Sequence, residues 1–177
     1  MSFSVRRATE EDAAALLDLR RAVFTETDFM LWEPQEFKAT EEDERKFIAW
    51  LSGKTNNVLL VAKEGADLVG FLGASGGERI RTRHSALIFL GVRREYWSRG
   101  VASAMLHEAL SWASTAGMLR LELNVHTTND RAVALYKRFG FQIEGKRRAS
   151  MLVAGQVRDE YLMSYVADPK FTVLHDA

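Results

Sequence analysis

Val92-Arg-Arg-Glu-Tyr-Trp-Ser-Arg-Gly-Val-Ala-Ser-Ala-Met-Leu106 reads as the end of a strand, a short basic loop with one glycine, and the start of a helix. The first amides of a helix have no partner within it, and the aligned peptide dipoles place partial positive charge at that end. Gly100 lets backbone approach a ligand closely, and Val101 and Ala102 offer N–H groups at the helix start. Arg93, Arg94 and Arg99 add positive charge suited to phosphates. The turn is not a Walker A loop, which requires Gly-Lys-Ser/Thr, nor a dinucleotide fingerprint, which requires further glycines. By itself it also fits an ordinary tight strand-to-helix turn.

Upstream of this stretch, Ala86-Leu-Ile-Phe-Leu-Gly-Val92 is a nearly continuous apolar run suited to a central strand. Val58–Ala62 and Leu68–Leu72 are β-rich runs about a turn at Glu64–Asp67, and Ser75-Gly-Gly77 interrupts the chain after them. A short strand is expected at Ser4–Ala8, then a helix opened by Thr9 and Asp12, with Ala13, Leu16, Leu17 and Phe24 on its apolar stripe and Arg20 out of type. Thr40 is placed to cap a second helix, whose apolar face is Phe47, Ile48 and Leu51. Downstream, Val101, Met105, Ala109 and Trp112 form a helical stripe. Leu119–His126 alternates, with Leu121, Leu123 and Val125 on one side and Glu122, Asn124 and His126 on the other. Asn129 caps a short helix ending near Gly140, and two strands close the chain around Ala154-Gly155. The expected order is β-α-α-β-β-β-α-β-α-β-β: an α+β fold in one domain over residues 1–177, with a central, mostly antiparallel, twisted sheet of about seven strands flanked by four helices.

The second chemical constellation is Asn129-Asp-Arg-Ala-Val-Ala-Leu-Tyr136, followed by Lys137-Arg-Phe-Gly-Phe141. Ala132, Leu135 and Phe139 read as the core side of its helix, with Tyr136 beside them. Tyr136 is then either a core-edge aromatic or a phenol placed to protonate a leaving group.

With both constellations in place, the sequence resembles the GCN5-related N-acetyltransferase superfamily over nearly its whole length, from about Ser4 to Val166. The family's Gln/Arg-x-x-Gly-x-Gly/Ala loop corresponds to Trp97-Ser-Arg-Gly100-Val-Ala102, and its Asn-x-x-Ala-x-x-Leu-Tyr-x-x-x-Gly-Phe segment to Asn129–Phe141. The resemblance implies an enzyme using acetyl-CoA as cosubstrate and no metal. In it, Leu90, Gly91 and Val92 would pair with the pantetheine arm, and the loop Trp97, Ser98, Arg99, Gly100, Val101, Ala102 and Ser103 would hold the pyrophosphate. Asn129 would contact the pantetheine near its reacting end, and Tyr136 would act as general acid toward the CoA thiolate. Trp97 in place of Gln or Arg is similar to the branch of ribosomal-protein and small-amine or amino-acid acetyltransferases. Relatives often carry a catalytic carboxylate at the strand positions that are Ala86 and Asn124 here, so no general base carries over.

The acceptor implied is a primary amine: a small amine, an amino acid or a protein N-terminus. Glu122 and His126 share a face with Asn124 and are candidates to take its proton. Glu26, Asp28 and Glu33, between the first two helices, are the others, with Glu26 and Glu33 favoured for recognising a cationic substrate. Each of these also reads as a surface residue. A non-catalytic acetyl-CoA-binding sensor or assembly module is the alternative function, and the family also contains homodimers.

Composition sets outer bounds. At 177 residues and 47% hydrophobic, the chain can bury a substantial core. It has no cysteine, which removes disulfides, thiolate metal sites and a thiol nucleophile, and its four histidines (His84, His107, His126, His175) lack metal-ligand spacing. Neither a membrane span nor an export signal is apparent, so the cytoplasm is the expected location. The net charge is zero but split: residues 1–53 carry 7 Lys and Arg against 12 Asp and Glu, and residues 78–158 carry 14 against 6. An anionic ligand is expected on the basic part, while the Glu41–Glu44 run reads as a solvated face. The arginines lie on loops and strands without a basic helix or interleaved aromatics, which argues against a nucleic-acid partner.

Overall fold

A computed structural model describes residues 3–167, so the extreme ends of the expected domain, including His175, lie outside the described residues. The elements are β1 (Phe3–Arg7), α1 (Ala13–Glu26), α2 (Glu41–Ser52), β2 (Val58–Glu64), β3 (Asp67–Gly76), β4 (Ser85–Val92), α3 (Val101–Thr115), β5 (Arg120–His126), α4 (Asp130–Arg138), β6 (Gln142–Val153) and β7 (Gln156–Val166). They form one seven-stranded sheet, in the order β1-β2-β3-β4-β5-β7-β6. The seven strands and four helices are those expected, and every strand pair is antiparallel except β4 with β5.

Helix starts follow from capping. Thr40 N–H donates to Asp43 Oδ2 at 2.9 Å, and Asp43 N–H returns a bond to Thr40 Oγ1 at 3.2 Å. The α1 stripe buries Leu16, Leu19, Val23 and Phe24. Arg20, the residue out of type there, donates to both oxygens of Glu44 at 2.7 and 2.9 Å and lies between the rings of Phe37 and Phe47. Glu44 is 1% exposed, so the acidic run at the start of α2 is not uniformly a solvated face. One of its four carboxylates is an interior anchor tying α2 to α1. β3 runs through Ser75 and Gly76 rather than stopping before them, because Asn57 Oδ1 accepts from Gly76 N–H at 2.8 Å.

The sheet separates two cores. On one face α1 and α2 cover Leu59, Val61 and Phe71; on the other α3 and α4 cover Leu60, Leu72, Ile88, Leu121, Leu123 and Val125. Gly91 is required where α1 crosses β4: a Cβ there would stand 2.6 Å from the Phe71 ring and 3.0 Å from Val23.

The β4–β5 pairing decides where a ligand can enter. It is confined to Ser85–Leu87 against Arg120–Glu122. From Ile88 onward β4 keeps β3, and from Leu123 onward β5 keeps β7, but the two strands no longer pair with each other. The sheet opens into a wedge at its centre, with unpaired backbone groups along both inner edges. Buried backbone groups of this kind require a partner.

Candidate active site

A cavity of about 1170 Å³ fills the wedge and continues onto the loop after β4. That exceeds the usual small-molecule pocket of about 300–1,000 Å³ and suits a long ligand. Ile88, Leu90, Gly91 and Val92 line one wall, and Leu123, Asn124, Val125 and His126 the other.

At the loop end, Ser98 and Gly100 both have positive φ, 60° and 85°. Such alternation turns successive amides toward one point and makes an anion-binding concavity. Gly100 caps α3 without a side-chain bond, so the first-turn amides of Val101, Ala102 and Ser103 lack side-chain caps. A Cβ on Gly100 would have room, its nearest neighbour being Phe3 Cζ at 4.0 Å, so glycine is demanded by φ rather than by space. Ser98, Gly100, Val101, Ala102 and Ser103 line the cavity, joined by Arg131 and by Arg138, whose Nη2 donates to Ser103 Oγ at 3.1 Å. The Arg99 guanidinium instead lies over the Tyr96 ring, 5.4 Å from its centroid.

Trp97 is the clamp of this loop. Its Nε1 donates to the Val92 carbonyl at 2.8 Å. The Arg131 guanidinium lies 3.5 Å from its ring centroid and Arg94 lies 5.3 Å away. One indole therefore joins the strand end, the loop and α4.

On α4, Asn129 Oδ1 accepts from Ala132 N–H at 3.2 Å and caps the helix. Val133 and Tyr136 are its most buried side chains. Ala132, Leu135 and Phe139, expected on the core side, are only half-buried and line the cavity. They also pack against the main core, so this face of α4 serves both the core and the cavity wall. Tyr136 is 8% exposed, lines the cavity and packs on Phe141. Burial pushes its phenol up to about 12, so it keeps its proton at neutral pH.

The acceptor candidates disperse. Glu26 is committed to the loop, accepting from Arg93 Nε at 2.9 Å and from Arg94 N–H at 2.6 Å, and it is not among the cavity-lining residues. Glu33 is exposed in a turn outside the lining, its N–H donating to Glu36 at 3.2 Å, and Asp28 is also outside. Glu122 accepts from Arg120 Nε at 2.8 Å, below the point where the wedge opens. His126 does line the cavity. It is 4% exposed, Phe29 packs edge-on against its ring, and Met151 Sδ lies 3.0 Å from its Nε2. Burial lowers its pKa below the ordinary imidazole value, opposed by the charges of Glu160 and Asp28 and assisted by Arg158. Ala86 is buried in the core, whereas Asn124 faces the cavity.

Sequence reasoning missed Glu160, Arg147, Ser150 and Met151, all of which line the cavity. They reach it through the register of β6 and β7. The polar Asp159-Glu160 pair inside an otherwise strand-like run was the one available signal.

Residues 18–141 match the family model described as the acetyltransferase (GNAT) family. The chain is 35% identical over 108 residues to the L-amino acid N-acetyltransferase AaaT of Escherichia coli, covering 60% of this chain and 67% of that one. It is 32% identical over 155 residues to the N-alpha-acetyltransferase RimI of Mycobacterium tuberculosis, covering 88% and 87%. An acetyltransferase of the GNAT family from Streptococcus pneumoniae superposes with a TM-score of 0.91 at 32% identity, over 94% of this chain and 100% of that one. YncA of Salmonella typhimurium, solved with acetyl-CoA, shares the fold with a TM-score of 0.85 at 14% identity, over 95% of each chain. The chain belongs to the GNAT family of acetyltransferases.

Proposed function

We propose that the wedge between β4 and β5 receives acetyl-CoA and that the acetyl group passes to a primary amine by direct attack within a ternary complex. The observation that carries this reading is the wedge itself, which ends on a concave run of amides. The inner edge of Leu90–Val92 offers backbone partners for the amides of a pantetheine arm. Ser98–Ser103 offers N–H groups, with Arg131 and Arg138 adjacent, for a pyrophosphate. Trp97 and Arg99 shape that loop through their ring contacts, and Asn129 stands on the α4 side near the reacting end.

The reaction consumes a neutral amine. Its lone pair attacks the thioester carbonyl carbon, the C–S bond breaks, and the Tyr136 phenol gives its proton to the departing thiolate. Burial that raises the phenol also disfavours a naked thiolate beside it, so donor and acceptor remain matched. An α-amine, with a pKa near 8, is far less protonated at neutral pH than a lysine amine near 10.4. The α-amine of an amino acid or of a protein N-terminus is therefore the favoured acceptor, in keeping with the names of the two relatives.

Release of free CoA from acetyl-CoA, measured against a panel of amino acids, peptides and small amines, tests the function. Turnover with α-amines is expected. Tight acetyl-CoA binding without turnover on any amine would replace the enzyme reading with that of a sensor.

A further inference from the structure

Among the described residues, Glu160 is the one carboxylate that lines the cavity. It lies on β7 directly across from His126 of β5 and from Arg147 of β6, as Cα partners in antiparallel register. Residues opposed in this way share a sheet face, with Cβ atoms about 4.5–5.5 Å apart. All three line the cavity, and Glu160 is 9% exposed.

A second polar row crosses the same three strands nearer the other end. There Arg120 donates to Glu122 and to Glu144, each at 2.8 Å, and Ser164 Oγ donates to Glu144 at 2.6 Å. That row is closed on itself and none of its members lines the cavity. The His126–Glu160–Arg147 row is left open, its Arg147–Glu160 contact a loose 3.5 Å.

The open row also stands on the side of the sheet opposite Tyr136. Leu123 and Val125 pack with Tyr136 in the core under α3 and α4, whereas His126, the next residue after Val125 and the last of β5, meets Phe29 from the segment after α1. The wedge is the gap through which the two sides communicate. Phe29, Met30, Leu31 and Met151 give the open row an apolar surround.

From this placement we propose that Glu160, with His126 beside it, anchors the acceptor's ammonium group and takes the proton that the amine must lose. The proposal rests on the acetyltransfer reading above. A single buried carboxylate with apolar neighbours selects a monoamine bearing an apolar group over a polyamine. Two protons leave the nitrogen for each acetyl transferred. The first passes to the Glu160 carboxylate and on to solvent, freeing the lone pair. The second leaves as the C–S bond breaks, goes to the neutral His126 imidazole and then to solvent. Tyr136 regains from solvent the proton it gave to sulfur, so one proton is released overall. The charged groups around this pair are Arg147, Arg158 and Asp28.

The test compares wild type, Glu160→Gln and Glu160→Asp with L-leucinamide and spermidine as probes. Wild type should turn over L-leucinamide in preference to spermidine. Glu160→Gln should lower kcat/KM for L-leucinamide by about 100-fold or more, as expected for loss of a general base. Glu160→Asp should recover part of that loss. Affinity for CoA and the thermal midpoint should stay at wild-type values. Titration calorimetry of L-leucinamide into CoA-saturated protein supplies a readout independent of turnover: wild type should bind, and Glu160→Gln should bind at least tenfold more weakly. Binding without turnover in wild type would sink the acetyltransfer reading but keep the ammonium site. Undiminished kcat/KM in Glu160→Gln, preference for spermidine, or no binding of L-leucinamide to wild type would overturn the role of Glu160.

Discussion

The two ends of the cavity are built from different material. At the loop end, one continuous segment, Trp97–Ser103, turns its own backbone amides toward the ligand space, and its side chains mostly brace the loop. At the other end, Phe29, His126, Arg147, Met151 and Glu160 converge from four separate parts of the chain. Their side chains, not their backbone, face the space. Backbone recognition needs a glycine, a helix start and a strand before them, all written locally. Side-chain recognition here depends on which residues stand opposite one another in the sheet. On the proposed reading, the anion common to every turnover is met by the first kind, and the acceptor by the second.

Tyr136 lines the same cavity, and its loss should be the largest of the effects that follow. Tyr136→Phe removes one oxygen and keeps the ring packed on Phe141. We expect kcat to fall by about 10²-fold or more, the range for loss of a general acid, with KM for both substrates little changed. Because burial holds the phenol up to about 12, the wild-type rate should show no alkaline fall from this group below pH 10. Steady-state kinetics across pH 6–10 checks both statements. Unchanged turnover in the variant would leave Tyr136 as a core-edge aromatic.

Gly100→Val addresses the loop end alone. A β-branched residue at φ 85° is strained by about 1–2 kcal/mol, and the loop would relax away from that conformation. KM for acetyl-CoA should rise about tenfold, equivalent to roughly 1.4 kcal/mol, while KM for the amine stays put. A rise in both would show that the two ends are not separable. Phe29→Ala makes the converse test. It removes an edge-on contact to His126, of a kind worth about 0.5–1.5 kcal/mol. KM for the amine should rise by a few fold, and CoA affinity should not move.

The same contrast explains what could be read from the sequence. The order of elements and the capping of α2 by Thr40 follow from period and capping chemistry, which act over a few residues. The loop at Gly100 was legible for the same reason. Glu122 and His126 were correctly placed on one face of β5, but nothing in the alternation says that β4 leaves β5 after Leu87. That departure leaves Glu122 against Arg120 and puts His126 on the cavity wall. Glu160 left only the faint signal of a polar pair in a strand, because its place in the cavity depends on register partners 34 and 13 residues away, His126 and Arg147. The apolar face of Ala132, Leu135 and Phe139 does pack on the core as expected, and its additional share in the cavity wall leaves no separate periodic trace.

The smallest effect expected is at the closed row, and it sets the baseline for the open one. Hydrogen bonds from Arg120, then from Ser164, hold the Glu144 carboxyl down to about 2, below its unfolded value near 4.3. A group depressed on folding adds stability above its unfolded pKa, and that stability is lost as pH falls through the folded pKa. The wild type should therefore lose this contribution between about pH 5 and pH 2. Glu144→Gln should be slightly less stable at pH 6 and converge on wild type by pH 2, in thermal midpoints measured at both. The side chain is 37% exposed, so solvent screening keeps the difference small. CoA release should match wild type, because neither Glu144 nor its partners line the cavity. A midpoint difference that persists to pH 2 would mean that packing, not the ion pair, supports this end of the sheet. A fall in turnover would mean that the two rows are coupled along the strands, and Glu160→Gln could then no longer be read as a local change.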